Sequence, residues 1–342
     1  MDSDEDNFSY PTLWPEPCSV AELNLNSMAI IIIYITVFFL GLVGNSVVIF
    51  VVSSMENRRT STDVYLMHLA VADLLFSLTL PFWAVYVRSG WVFGTFLCKL
   101  LSGVQEAALY SCVFLLACIS IDRYLAIVKA TQVTPRSHQL VGIVCIVVWL
   151  GACLLSLPVM IQRESFMPEG QAHLFCYENL TAEVVDEWRV SLRILKHALG
   201  FFLPLAVMLV CYSCTVATLF RARNSQKHKA MRVILSVVLA FVICWLPKNI
   251  IMLLDTLIQG QHMDHSCELV DFVDTALHIT QIVAFMHCAI NPILYAFIGK
   301  KFRNQFLISL HKKGLIGREI LSSYRVGSVY SSANSRHTSV TL

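Results

Sequence analysis

No lysine or arginine precedes Arg58, whereas Asp2, Asp4, Glu5, Asp6, Glu16 and Glu22 all do. Charge of either sign is scarce along the whole chain. Charged residues make up 14% and hydrophobic residues 56%, where a soluble domain is about a quarter charged, so an ordinary water-soluble domain is excluded. There is no Gly-rich phosphate loop, no His-x-x-x-His ligand spacing and no nucleophile elbow, so no enzyme activity and no nucleic-acid partner are expected. The 11 histidines are scattered and read as loop or packing residues. The acidic, polar N-terminus lacks the basic start of a cleavable signal peptide, so the first apolar segment is expected to act as its own insertion signal. No internal repeat of the secondary-transporter kind is visible. No cysteine follows Cys288, so the tail offers no palmitoylation site.

What the chain does have is long apolar runs. A helix of about 20 apolar residues spans a bilayer, and seven segments reach that length. They run from about Met28 to Ser53, Asp63 to Val87, Cys98 to Lys129, His138 to Ile161, Trp188 to Phe220, Lys227 to Ile258 and Val270 to Ile298. The fold class expected is an all-α membrane protein, a seven-helix bundle with a short amphipathic helix. Residues 1–27 read as an acidic outer tail and 28–299 as the transmembrane domain. Residues 300–313, where Phe302, Phe306, Leu307 and Leu310 recur among Lys and Arg, read as a helix lying on the bilayer surface. Residues 314–342 read as a disordered, Ser/Thr-rich tail open to phosphorylation.

Basic residues alternate with the spans. Arg58 and Arg59, Lys129 and Arg136, Arg221 to Arg232, and Lys300 to Lys313 fall on one side if the spans alternate, which places the N-terminus outside and the C-terminus in the cytoplasm. The sequons at Asn7 and Asn179 then lie outside as glycosylation candidates, and Tyr10, set among acids, suits sulfation. The outer segments carry further acids at Glu164, Glu169, Glu178, Glu183, Asp186 and Glu187. More follow at Asp255, Asp264, Glu268, Asp271 and Asp274. Such a field steers a basic ligand and raises its on-rate.

A charge inside a span is expensive and therefore a functional candidate. Asp73, Glu106 and Lys248 are deep; Arg193, Lys196 and Asp255 lie nearer the outer face. The third segment ends in Asp122-Arg123-Tyr124-Leu125-Ala126-Ile127-Val128. This heptapeptide resembles the third-span ending of rhodopsin-like G-protein-coupled receptors, and its Leu-Ala-Ile-Val continuation looks like the chemokine-receptor branch. Asn45, Asp73, Trp149, Pro204, Trp245, Pro247, Asn291, Pro292 and Tyr295 each stand in the span where that superfamily places the residue type. Thr62-Asp63-Val64-Tyr65-Leu66, Leu80-Pro81-Phe82-Trp83 and Trp91-Val92-Phe93-Gly94 look like chemokine receptors. Lys227 to Ile234, Trp188-Arg189 and Arg193-Ile194-Leu195 look like the CXC branch that includes the interleukin-8 receptors.

The resemblance implies a receptor for basic CXC chemokines that signals through inhibitory-class heterotrimeric G proteins to drive leukocyte migration, at the plasma membrane. It implies that Asp122 holds Arg123 in the inactive state, and that Arg123 and Tyr124 then form the G-protein end with Tyr212 and Tyr295. Trp245 and Pro247 sense ligand and swing the sixth span. Receptor kinases and arrestin are implied partners at the tail, as is a PDZ domain that reads an apolar residue at Val340. Asp73 would coordinate an allosteric sodium ion, although Ala108 and Cys112 stand where many relatives offer oxygen ligands. No other cofactor is expected. Four cysteines in boundary segments allow three pairings; the resemblance selects Cys98–Cys176 and Cys18–Cys267. The ligand-binding residues expected are Asp4, Glu5, Asp6, Tyr10, Trp83, Glu106, Arg189, Arg193, Lys248, Asp255 and Gln281; of these, Gln281 stands where many chemokine receptors carry a glutamate, and Lys248 where relatives usually place an aromatic. Arg189 and Arg193 form a basic spot for an acidic ligand residue, and Asp255 suits a ligand arginine. Lys248 and Glu106 are expected to pair across the cavity; the alternative is that Lys248 reaches up into the water-filled pocket with no fixed partner. A non-signalling scavenger of the same fold is the rival reading, against which the intact Asp122-Arg123-Tyr124 speaks; a transporter would need more polar residues at the midplane.

Overall fold

The computed structural model describes residues 27–55, 59–129, 138–167, 173–178, 185–221, 225–259 and 266–317. Among them, seven stretches of helix are long and apolar enough to cross a membrane. Helix α1 is Ser27–Ser53, α2 Ser61–Ser89, α3 Gly94–Ile127 and α4 His138–Gln162. The fifth span is α5 (Val185–His197), a π-helical turn (Ala198–Phe202) and α6 (Leu203–Arg221). The sixth is α7 (Ser225–Gln259). The seventh is α8 (Cys267–Phe285) with α9 (His287–Ile298), and α10 (Lys300–Lys312) follows it. These helices form because the backbone groups of an apolar segment can be satisfied only internally in hydrocarbon.

The start of α2 is set by a capping box. The Thr60 backbone N–H donates to Asp63 Oδ2 at 2.8 Å while the Asp63 N–H donates to Thr60 Oγ1 at 3.3 Å. At the end of α1, Arg59 reaches back to donate to the carbonyls of Val52 and Ser53, at 2.9 and 2.6 Å. Helix α3 is the most enclosed span, packed against α2, α4 and α6, with Leu115, Leu116 and Ile119 fully buried. Helix α4 instead turns Ile143, Ile146, Val147, Leu150, Leu154 and Ile161 outward. That apolar stripe is what a lipid-facing helix presents.

At one end of the bundle, β1 (Arg163–Phe166) and β2 (Phe175–Glu178) pair antiparallel, with Ser165 opposite Cys176. Cys176 is disulfide-bonded to Cys98 near the start of α3, which pins the hairpin over the helices. Cys267, at the start of α8, is also in a disulfide; Cys18, its expected partner, lies outside the described residues. At the opposite end, α10 packs on α9 and α1, and Lys313 Nζ lies 5.1 Å from the centre of the Phe50 ring.

Candidate functional site

Three layers of the bundle hold the candidate residues. In the layer under the hairpin, Trp83 is buried with its ring 5.3 Å from Trp91 and 5.9 Å from Tyr86. Trp91 is fixed in turn: its Nε1 donates to the Gly94 carbonyl at 2.9 Å and its backbone N–H to the Leu174 carbonyl at 2.7 Å. Gly90 has φ 72° and a Cβ there would lie 2.8 Å from His173 Cβ, so only glycine fits between α2 and the strand. Glu106 and Gln281 are half-buried on α3 and α8, and Arg189 lies on α5.

The charged residues of this layer meet particular neighbours. Lys248 and Glu106 do not form an ion pair; the ammonium lies over aromatic rings, 5.3 Å from the centre of Trp245 and 5.8 Å from that of Phe285. The Glu106 carboxylate is set against the Tyr110 hydroxyl. Aromatic faces attract a cation through the ring quadrupole, which leaves the carboxylate free to take a nearer partner on its own helix. Arg193 and Asp255, read from the sequence as handles for a ligand acid and a ligand arginine, face each other in this structure. Arg193 Nη1 donates to Asp255 Oδ2 at 3.2 Å, joining α5 to α7, with both side chains mostly enclosed. One turn deeper, the His197 Nδ1 and Asn249 Oδ1 atoms are 2.9 Å apart, and Asn249 Nδ2 donates to the Trp245 carbonyl at 2.9 Å. Neither His197 nor Asn249 was singled out by the sequence; a histidine and an asparagine inside apolar spans were the available signal.

The middle layer is an aromatic cluster on a polar floor. Trp245 is buried, stacked near Phe241 at 6.1 Å and edge-on to Phe76 at 6.2 Å and to His287 at 5.2 Å. Pro247 lies within α7 two residues on, where it removes a helical hydrogen bond. Beneath, Asp73 is fully buried. Its Oδ2 accepts from Asn291 Nδ2 at 2.7 Å; its Oδ1 faces Cys112 Sγ and His287 Nε2, each at 3.4 Å. Asn45 donates to the Gly41 and Cys288 carbonyls, both at 2.9 Å, tying α1 to α9. A Cβ on Gly44 would sit 2.7 Å from Pro292, so the two helices touch backbone to ring. His287 is one of the histidines read as packing, yet it is 1% exposed with a ring nitrogen aimed at a carboxylate.

In the third layer, at the end of α3, Arg123 Nη2 donates to Asp122 Oδ2 at 2.6 Å, and Thr62 Oγ1 donates to the same oxygen at 3.1 Å. Tyr212 is buried beside Ser120 and Arg123, Tyr124 is half-buried, and Tyr295 is buried with its ring 6.1 Å from Phe302 of α10. Asp4, Glu5, Asp6, Asn7, Tyr10 and Asn179 lie outside the described residues.

A bundle of seven membrane helices with this layered core defines a class, and the comparisons agree. Residues 44–295 match the 7 transmembrane receptor (rhodopsin family). The chain is 47% identical over 335 residues to the C-X-C chemokine receptor type 1 of Oryctolagus cuniculus, covering 96% of this chain and 94% of that one. It is 48% identical over 317 residues to the type 1 receptor of Homo sapiens, covering 93% and 90%. To the type 2 receptor of Mus musculus it is 46% identical over 345 residues, covering 99% and 95%. The chain therefore belongs to the rhodopsin family of seven-transmembrane receptors, and within it to the C-X-C chemokine receptors; it is a multi-pass membrane protein.

Proposed function

We propose that this chain is a plasma-membrane receptor that binds basic CXC chemokines at its hairpin end and activates an inhibitory-class heterotrimeric G protein at its Arg123 end, directing leukocyte migration. The N-terminus and hairpin are outside and α10 is cytoplasmic, a reading supported by the basic residues that gather on one side of the spans. The observation that carries the proposal is the Asp122–Arg123 pair. A guanidinium held at 2.6 Å by its neighbour, and only partly enclosed, is a charge stored at the mouth of a helical bundle. Outward movement of α7 about Pro247 would uncover it for the G-protein α subunit, and Tyr212 and Tyr295 lie where they can support the opened cleft. The acidic tail, with Asp4, Glu5, Asp6 and Tyr10, takes first contact with the ligand. Trp83, Glu106, Arg189, the Arg193–Asp255 pair, Lys248 and Gln281 read its inserted segment. Receptor kinases and arrestin act at the Ser/Thr-rich tail, and a PDZ domain that reads an apolar residue at Val340 fits the end Ser339-Val340-Thr341-Leu342.

The test is nucleotide exchange on purified G protein with a panel of CXC chemokines. Arg123→Ala should abolish ligand-driven exchange while leaving ligand affinity within about tenfold, or ~1.4 kcal/mol. Exchange at the wild-type rate in that variant removes Arg123 from the mechanism. Ligand binding without exchange in the wild type would favour the scavenger.

A further inference from the structure

The cation expected at Asp73 is sodium, a hard ion that prefers oxygen. The donors that the bundle assembles there are of another kind. Asp73 Oδ1, Cys112 Sγ and one nitrogen of His287 lie within 4.8 Å of one another, fully buried and contributed by α2, α3 and α9. Asp73 Oδ1 is 3.4 Å from His287 Nε2 and 3.4 Å from Cys112 Sγ. Metal–ligand lengths of about 2.0–2.3 Å put neighbouring corners of a tetrahedral zinc site roughly 3.3–3.6 Å apart, so two of the three edges already have that length. Thiolate and imidazole are ligands for zinc and its borderline neighbours, not for alkali ions.

We propose that Asp73, Cys112 and His287 form a three-ligand site for a zinc-class divalent ion, with a water in the fourth position. The surroundings are built as a metal site requires. His287 Nδ1 is 2.7 Å from the Ala284 carbonyl, and since a carbonyl only accepts, that nitrogen carries the proton. Nε2 is then a lone pair, buried, with no hydrogen-bond partner, pointing at a carboxylate oxygen. Two lone pairs face each other unless a proton or a metal ion stands between them. Ligating imidazoles almost always donate their other N–H in this way, and ligating carboxylates are themselves hydrogen-bonded; Asn291 supplies that second bond to Asp73 Oδ2 at 2.7 Å. Binding sends the Cys112 proton to solvent, and thiolate plus carboxylate then neutralise the ion's two charges, which suits a buried site. Each ligand comes from a different helix, so the ion clamps α2, α3 and α9 together, directly beneath Trp245.

The test uses the full-length receptor in detergent, without a polyhistidine tag, stripped with chelator and titrated with Co²⁺, then with Zn²⁺ in competition. The expected result is about one cobalt per receptor with a thiolate-to-cobalt charge-transfer band, displacement by zinc, and a zinc-dependent rise in melting temperature. Cys112→Ser abolishes the band; His287→Asn weakens uptake by about tenfold or more; Cys118→Ser changes neither. X-ray absorption on zinc-loaded wild type needs no variant, and should show one sulfur at about 2.3 Å. A shell of light atoms only, or a folded wild type with no band and no zinc-dependent shift, overturns the proposal. So does a band that survives Cys112→Ser. A melting shift given by sodium over potassium and untouched by Cys112→Ser identifies a hard-cation site and overturns it too.

Discussion

An ammonium at the depth of Lys248 needs something to offset its lost hydration, and the choice in this bundle lies between Glu106 and the faces of Trp245 and Phe285. The sequence makes the carboxylate look like the partner, because it shows charges and not rings that arrive from another helix. In the fold the rings are the neighbours, at 5.3 and 5.8 Å. A stability cycle of Lys248→Met with Phe285→Leu should therefore return a coupling of about 0.5–2 kcal/mol. The cycle of Lys248→Met with Glu106→Gln should return a smaller one; the reverse order in chemical or thermal melting would restore the ion pair. Arg193 and Asp255 were equally opaque, being 62 residues apart. Losing either side chain removes a charge-assisted hydrogen bond between two spans, so each single alanine variant should cost about 1.5–3 kcal/mol of stability. The exchanged pair, Arg193→Asp with Asp255→Arg, should recover most of it. Recovery of stability without recovery of chemokine potency would separate the structural role of the pair from ligand recognition.

At the scale of elements, the seven apolar runs were plain because length and hydrophobicity are one-dimensional properties. Where a helix departs from regularity is not. The fifth span reads as one segment, yet it contains the π turn Ala198–Phe202, and the reason lies on α3: a Cβ on Gly200 would meet Tyr110 Cε1 well inside contact distance. The extra residue in the turn and the missing side chain at Gly200 together seat the Tyr110 ring. Gly200→Ala should therefore destabilise the receptor by about 1–3 kcal/mol through overpacking, and Tyr110→Leu in the same chain should give part of that back. If Tyr110→Leu makes the glycine variant worse, measured by melting in detergent, the seat is not the cause. The same limit applies to Asp73, Cys112 and His287: periodicity assigns each to a helix, but not the rotation that turns all three to one point.

For the whole molecule, the informative quantity in the sequence is where charge is missing. Seven acids precede the first basic residue, six of them ahead of the first apolar segment, and the third connection toward the hairpin end adds more acids with no Lys or Arg among them. Side-chain contacts cannot be read from such a pattern, but a long-range field can, because it depends on summed charge and not on rotamers. That field acts before docking, on the approach of a basic ligand, so it belongs in the association rate and not in the lifetime of the complex. Raising salt shortens the Debye length to about 8 Å at physiological ionic strength and about 3 Å at 1 M. Chemokine on-rates measured on immobilised receptor should accordingly fall by about tenfold or more between low and high salt, within the range steering supplies, while off-rates change little. Replacing Asp4, Glu5 and Asp6 by Asn, Gln and Asn should lower the on-rate at low salt and flatten its salt dependence, with the off-rate again nearly unchanged. An effect of the triple variant confined to the off-rate would mean that these acids grip the bound ligand instead of drawing it in.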